Sequence, residues 1–130
     1  GVDFAAPTGT PIYAGGNGVV EYIGRNGGYG KYIRVRHSNG YKTAYAHLSN
    51  YKKGISKGVR VNQGEVIGYV GSTGNSTGPH LHYEIIYQNK HINPLQLKLP
   101  SGKILDGSEL EKFKAEYSKI YADHLNMLYE

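Results

Sequence analysis

Residues 72–85 read STGNSTGPHLHYEI, a glycine-rich run followed at once by two histidines with one leucine between them. In an extended chain successive side chains alternate between faces, so His80 and His82 project to one side while Leu81 points to the other, into a core. At about 3.3 Å of rise per residue, the two Cα atoms stand about 7 Å apart. That separation suits one metal ligand with one working group beside it. Because the chain has no cysteine, any metal must be held by nitrogen and oxygen. With six histidines in 130 residues, His-x-His alone is weak evidence, so its company matters. His47 closes the alternating segment TAYAH, whose other face, Ala44, Ala46 and Leu48, is small and apolar. Asp3 is a carboxylate set between Val2 and Phe4.

These side chains need a scaffold. Nineteen glycines and thirteen tyrosines, with valine and isoleucine in short alternating runs, indicate β-strands separated by turns. Strands are predicted at 11–14, 18–23, 31–37, 41–47, 65–70 and 81–87. Ser38-Asn39-Gly40 predicts a tight hairpin, since Asn-Gly accepts the positive φ angles such a turn requires, which makes its two strands antiparallel neighbours. Between 54 and 71 glycines punctuate short apolar pairs, the spacing of a strand that bends and wraps a small sheet. The expected fold class is all-β: a mostly antiparallel, strongly bent sheet with short wrapping strands. Gly71, Gly74 and Gly78, lacking side chains, are expected to let the backbone pass close to an extended peptide. Residues 72–77 themselves read equally as cleft lining or as a surface turn.

From Ser108 the period changes. Leu110, Phe113, Tyr117, Ile120, Tyr121, His124 and Leu128 share one helical face, and Ser108 with Glu111 makes a capping box. A C-terminal amphipathic helix is therefore predicted over 107–130, with His124 packing on its apolar stripe.

With 38% apolar residues the chain suffices for one core. It contains no run of about eighteen apolar residues, so no transmembrane segment is predicted. The formal charge of +5 is spread over scattered lysines and arginines, which reads as a solvated surface and not as a nucleic-acid site. The opening residues lack an initiator methionine, a basic region or an apolar core, so the chain is expected to be part of a longer one.

The strings GVDFAAPTGTPI, YAHLS and STGNSTGPHLHYEI occur in this order, with a KGxxVxxGxxIGxVG pattern between the last two. Together they resemble the signature segments of the M23 metallopeptidases, the lysostaphin-type or LytM-type zinc endopeptidases that cut peptidoglycan cross-links. The likeness runs from residue 1 to about 99. It implies a peptidase domain over 1–106 whose N-terminal part is missing, one Zn2+ ion with Asp3 and His82 as metal ligands, and His47 and His80 as unligated catalytic histidines. Of these, His80 is favoured as general base and His47 as oxyanion partner. A further histidine ligand is implied four places before the aspartate, two residues upstream of Gly1.

Residues 91–103 resemble the end of Gram-negative members, D,D-endopeptidases that act on D-alanine to diaminopimelate bonds. That implies peptidoglycan peptide stems as partner, a periplasmic or cell-envelope location, and a regulatory segment or partner from the parent protein. The rival reading is a degenerate, metal-free module of the same fold that binds peptidoglycan or activates other wall hydrolases. Residues 57–68 are also similar to lipoyl and biotinyl carrier domains, but without the modifiable lysine turn, which leaves only a shared wrapping of short strands.

Overall fold

The computed structural model of the protein describes residues 2–92 and, as backbone, 126–129. Its strands are β1 (Val2–Ala5), β2 (Pro11–Tyr13), β3 (Gly18–Arg25), β4 (Lys31–Arg36), β5 (Tyr41–Tyr51), β6 (Arg60–Val61), β7 (Val66–Val70), β8 (His80–Tyr87), β9 (Lys90–Ile92) and β10 (Asn126–Tyr129). Among the described residues they form one sheet, with the order β10-β1-β8-β5-β4-β3-β6. The far end of β5 carries β7, which carries β2, and β9 continues the edge of β8 beyond β1. All of these ladders are antiparallel.

Each predicted strand has its counterpart, and β4 and β5 are antiparallel neighbours joined by a single 3-10 turn at Ser38–Gly40. Four strands were not predicted individually: β1, β6 and β9, which have four, two and three residues, and β10; of these, β6 falls within the wrapping stretch read over 54–71. Most of the helix predicted over 107–130 lies outside the described residues. Its end is corrected, because 126–129 is strand β10, paired with β1 from Val2↔Tyr129 to Ala5↔Asn126. The pairing gives partners to the row of β1 backbone groups that face away from β8.

The sheet has a main core on one face. Val2 and Phe4 of β1, Ile33 and Val35 of β4, Tyr45 and Leu48 of β5, and Leu81, Tyr83 and Ile85 of β8 are buried there. On the other face Tyr32, Ala44, Ala46 and Ile86 are buried beneath Tyr22 and Tyr29. Small side chains at Ala44 and Ala46 keep that second face low, and the histidines rise beside it. Strand β5 pairs Ala46 with His82 of β8 but Leu48 with Val70 of β7. Against β4 its register slips between the Ile33↔Tyr45 and Lys31↔Leu48 pairs, the mark of a bulge. His47 sits in that bulge at φ 64, a left-handed conformation rare for a side chain with a Cβ. The bend turns the end of β5 away from β8 and onto β7.

The loops around 26–30 and 72–78 interlock through backbone. Asn75 N–H donates to the Gly28 carbonyl at 2.8 Å, and Lys31 N–H to Thr73 Oγ1 at 3.0 Å. A Cβ on Gly74, whose φ is +73, would overlap the Gly28 carbonyl oxygen and the Gly30 nitrogen, and one on Gly71 would overlap the Ser49 backbone. At these two positions the close neighbour is therefore the protein's own chain, whereas around Gly78 nothing lies within 4 Å.

Behind the core, a directed hydrogen-bond chain closes on His37. Its Nδ1–H donates to the Asn17 carbonyl at 2.8 Å, leaving Nε2 to accept from Thr43 Oγ1 at 2.7 Å. Thr43 Oγ1 accepts in turn from the Tyr45 hydroxyl at 2.6 Å, and Tyr45 from Gly15 N–H at 2.9 Å. A second proton on His37 would meet the Thr43 hydroxyl donor head-on. Burial lowers the His37 pKa from its ordinary value, and the Asn17 carbonyl opposes that shift only in part.

Two outcomes are expected. Gly74→Ala should destabilise the protein by about 1–3 kcal/mol more than Gly54→Ala, because Gly54, at φ +92 with nothing within 4 Å, carries the backbone strain without the overlap. Urea unfolding of the two variants checks this, and equal losses would refute the interlock. With a folded-state pKa below the unfolded value of about 6.5, His37 makes the unfolded chain bind more protons just below that pH. Its contribution is thus complete above about pH 6.5 and is lost as the pH falls through the folded value, at no more than about 1.4 kcal/mol per unit. His37→Gln should flatten this limb; parallel curves would show that His37 does not contribute to it.

Candidate active site

The β1–β8 register sets Asp3 opposite His82 and Ala5 opposite His80. With Val2, Phe4 and Leu81 directed into the main core, the alternate residues of both strands share the other face. As cross-strand neighbours, Asp3 Oδ1 and His82 Nδ1 lie 2.7 Å apart. His80 Nε2 stands 3.7 Å from the same oxygen. The bulge brings His47 over them, its ring centroid 4.7 Å from that of His80 and 6.1 Å from that of His82. All four side chains singled out by the sequence thus meet in one place.

Backbone carbonyls hold two of the rings. His47 Nδ1 is 2.7 Å from the Thr73 carbonyl, and His80 Nδ1 is 2.9 Å from that of Gly78. A carbonyl only accepts, so Nδ1 bears a hydrogen in both rings and Nε2 is the nitrogen each ring turns inward. Ser76 Oγ donates to the Gly78 carbonyl at 2.7 Å and sits 3.1 Å from His80 Nδ1, bracing that arrangement. Thr73 is itself fixed, its hydroxyl donating to the Leu48 carbonyl at 2.6 Å. Residues 72–77 are therefore more than a surface turn: Thr73 and Ser76 orient the histidine pair. Burial lowers the His47 pKa; the Thr73 carbonyl and Asp3 act against this, and the charges of His80 and His82 add to it.

His82 is held differently. Its Nε2 lies 2.8 Å from Glu84 Oε2, so each of its nitrogens faces a carboxylate. Glu84 is buried, accepts a hydrogen bond from the Tyr29 hydroxyl at 3.1 Å, and lies 3.5 Å from His91 Nδ1. Burial alone would raise the Glu84 pKa, but the His82 hydrogen bond, the charges of His91 and His82, and the Tyr29 hydroxyl together bring it below the ordinary value. It stands as a carboxylate. The Tyr29 ring stacks along that of His82 at 6.0 Å. The sequence reading missed Glu84, although His80, His82 and Glu84 form one alternating row. Beside these groups opens a cleft of about 270 Å³ lined by Gly28, Tyr29, His47, Asn75 and His82.

Among the described residues, no three His, Cys, Asp or Glu side chains are grouped as an ion's ligands. Two donors do converge. Asp3 Oδ1 and His82 Nδ1 are the oxygen and nitrogen types that zinc takes, and Glu84 on the far nitrogen orients the ring as the outer carboxylate of a ligand histidine does. Two ligands at about 2.1 Å from one tetrahedral ion stand about 3.4 Å apart, so this pair, now at 2.7 Å, fits after parting by less than an ångström.

The sequence profile described as Peptidase family M23 matches residues 1–94. The chain is 49% identical over 104 residues to the DD-carboxypeptidase/endopeptidase Mpg of Neisseria meningitidis serogroup B, a match covering 80% of this chain and 24% of that protein. It is 47% identical over 115 residues to the peptidoglycan DD-endopeptidase ShyC of Vibrio cholerae, covering 88% of this chain and 26% of that protein. It thus spans about a quarter of the length of the curated relatives it matches. Among solved structures, the catalytic domain of the antimicrobial peptidase lysostaphin from Staphylococcus simulans superposes with a TM-score of 0.69 at 34% identity, covering 75% of this chain and 76% of that one. A zinc-containing peptidase from Vibrio cholerae superposes at 0.65 with 39% identity, covering 69% of this chain and 27% of that one.

If Glu84 orients His82 for an ion, Glu84→Gln should lower zinc affinity about 10–100-fold, measured by competition with a chromogenic chelator. Unchanged affinity would show that His82 needs no such support.

Proposed function

The chain belongs to peptidase family M23, and on that premise we propose that it is the catalytic part of a zinc-dependent endopeptidase hydrolysing the peptide cross-links of bacterial peptidoglycan. The observation that carries this reading is the convergence of Asp3 and His82 at 2.7 Å, with His80 Nε2 at 3.7 Å and the His47 ring beside it. Asp3 and His82 would hold the ion. What zinc supplies when bound is Lewis acidity, which polarises the scissile carbonyl and lowers the pKa of water towards about 7.

The remaining chemistry falls to the protein. With Nδ1–H tied to the Gly78 carbonyl, His80 accepts the proton of the attacking water at Nε2 and returns it to the leaving amine. His47, tied to Thr73, donates from Nε2 to the oxyanion only once it holds a second proton. Burial opposes that proton at rest, and the negative charge developing on the carbonyl oxygen favours it during reaction.

Relatives named DD-endopeptidases support a bond between D-residues, here the D-alanine to diaminopimelate cross-link, and hence a periplasmic or cell-envelope location. The formal charge of +5 suits a carboxylate-bearing polymer.

The test is turnover of purified sacculi and of a cross-linked muropeptide dimer by the zinc-loaded protein, with products identified by mass spectrometry. His80→Ala should lower kcat about 10²–10⁴-fold with zinc content unchanged. Asp3→Ala and His82→Ala should lose the metal. A protein that takes up no zinc and cleaves nothing, yet binds sacculi, would replace this reading with that of a metal-free wall-binding module.

A further inference from the structure

We propose that Asn75 is a substrate-positioning residue whose side-chain amide pairs with a main-chain peptide group of the substrate beside the bond that is cut. The proposal rests on the reading of the cleft as a peptide site. Five residues line that cleft, and most of their polar groups are already committed. The Tyr29 hydroxyl donates to Glu84, His47 Nδ1 to Thr73, and both His82 nitrogens face carboxylates. Asn75 differs. Its backbone N–H is tied to the Gly28 carbonyl at 2.8 Å, while its exposed side-chain amide has no hydrogen-bond partner among the described residues.

Gly28 reserves the space for that amide. A Cβ there would lie 2.8 Å from Asn75 Nδ2 and 3.4 Å from its Cγ, but 3.7 Å from its Cβ, which is ordinary contact. The backbone at Gly28 is outside the left-handed region, unlike Gly27 at φ 52 and Gly30 at φ 67. Conformation therefore does not demand glycine at 28; the neighbouring side chain does. A primary amide presents one acceptor and two donors on a planar end, which matches the N–H and C=O of an extended peptide. Its neutrality suits a peptide group better than the carboxylates of the stem, which would call for a cation. A residue that binds substrate and transition state alike acts on KM and leaves kcat alone.

The test measures kcat and KM of the zinc-loaded protein on a purified cross-linked muropeptide dimer, together with the Kd of the same dimer for the metal-free protein. Asn75→Ala should raise KM and Kd about tenfold, the size expected for one or two lost neutral hydrogen bonds, with kcat and zinc affinity within about twofold of wild type. Gly28→Ala should raise KM several-fold in the wild-type background and hardly at all on top of Asn75→Ala, since only the amide is displaced. Unchanged KM and Kd in Asn75→Ala, or additive effects of the two substitutions, would overturn the proposal. Failure of the wild type to hydrolyse a dimer that it binds would sink the endopeptidase reading alone, and the Kd comparison would then decide on Asn75. No binding by the wild type would overturn both.

Discussion

The pairing of β1 with β8 is the constraint on which the site depends. Phe4 and Leu81 face each other across the ladder, as do Val2 and Tyr83, and all four are buried in the main core. Fully burying a side chain such as Phe4 or Leu81 is worth about 1.5–3 kcal/mol. A slip of one residue would lift these groups into solvent and press Asp3 into the core, where an unpaired carboxylate is strongly disfavoured. Apolar burial thereby fixes the distance between an acid and an imidazole that are 79 positions apart in the chain. The chemistry lies on one face because the core occupies the other.

What the ladder cannot place, irregular backbone does. His47 belongs to the longest strand but would point elsewhere without the bulge that holds it at φ 64. Such a conformation costs about 1–3 kcal/mol and persists only where its surroundings over-determine it. Here Leu48 is fully buried on one side of it, Ala46 is locked to His82 on the other, and the Thr73 carbonyl takes the ring hydrogen. The same bulge bends the sheet, so the curvature of the fold and the aim of His47 have one origin. The glycine loops complete the wall, packed so tightly at Gly30 and Gly74 that the carbonyl reaching His47 has little freedom to move.

Much of this was legible in the sequence. Period-two alternation marked β3, β4, β5, β7 and β8 and put Leu81 inward with His80 and His82 outward, because that pattern is local. The strand β10 was not legible, since 126–129 continue a helical period and its pairing with β1, at the other end of the chain, is a tertiary demand that overrides propensity. Glu84 was visible as the third member of a row, but a carboxylate on a strand reads as solvated until Tyr29 and His91, from two other elements, are known to enclose it. The glycines show the complementary difficulty: a sequence reveals that a side chain is missing without revealing what fills the space. At Gly71 and Gly74 it is the protein's own backbone, and at Gly28 it is a neighbouring amide.

Identical side chains take different parts here because their partners differ. His47 and His80 each lean on a neutral carbonyl, which fixes one N–H and leaves the opposite nitrogen as the one that can exchange a proton. His82 stands between two carboxylates, a setting that draws positive charge towards it from both ends. In the proposed chemistry that charge belongs to an ion shared with Asp3. Three imidazoles so close would repel one another if all were protonated at once. Asp3 and Glu84 offset that repulsion around His82, while burial keeps the second proton off His47. The division of labour between the two histidines flanking Leu81 thus follows from what their ring nitrogens meet: at His80 a peptide carbonyl holds Nδ1 while Nε2 stands back from Asp3 at 3.7 Å, and at His82 both nitrogens lie within 2.8 Å of a carboxylate.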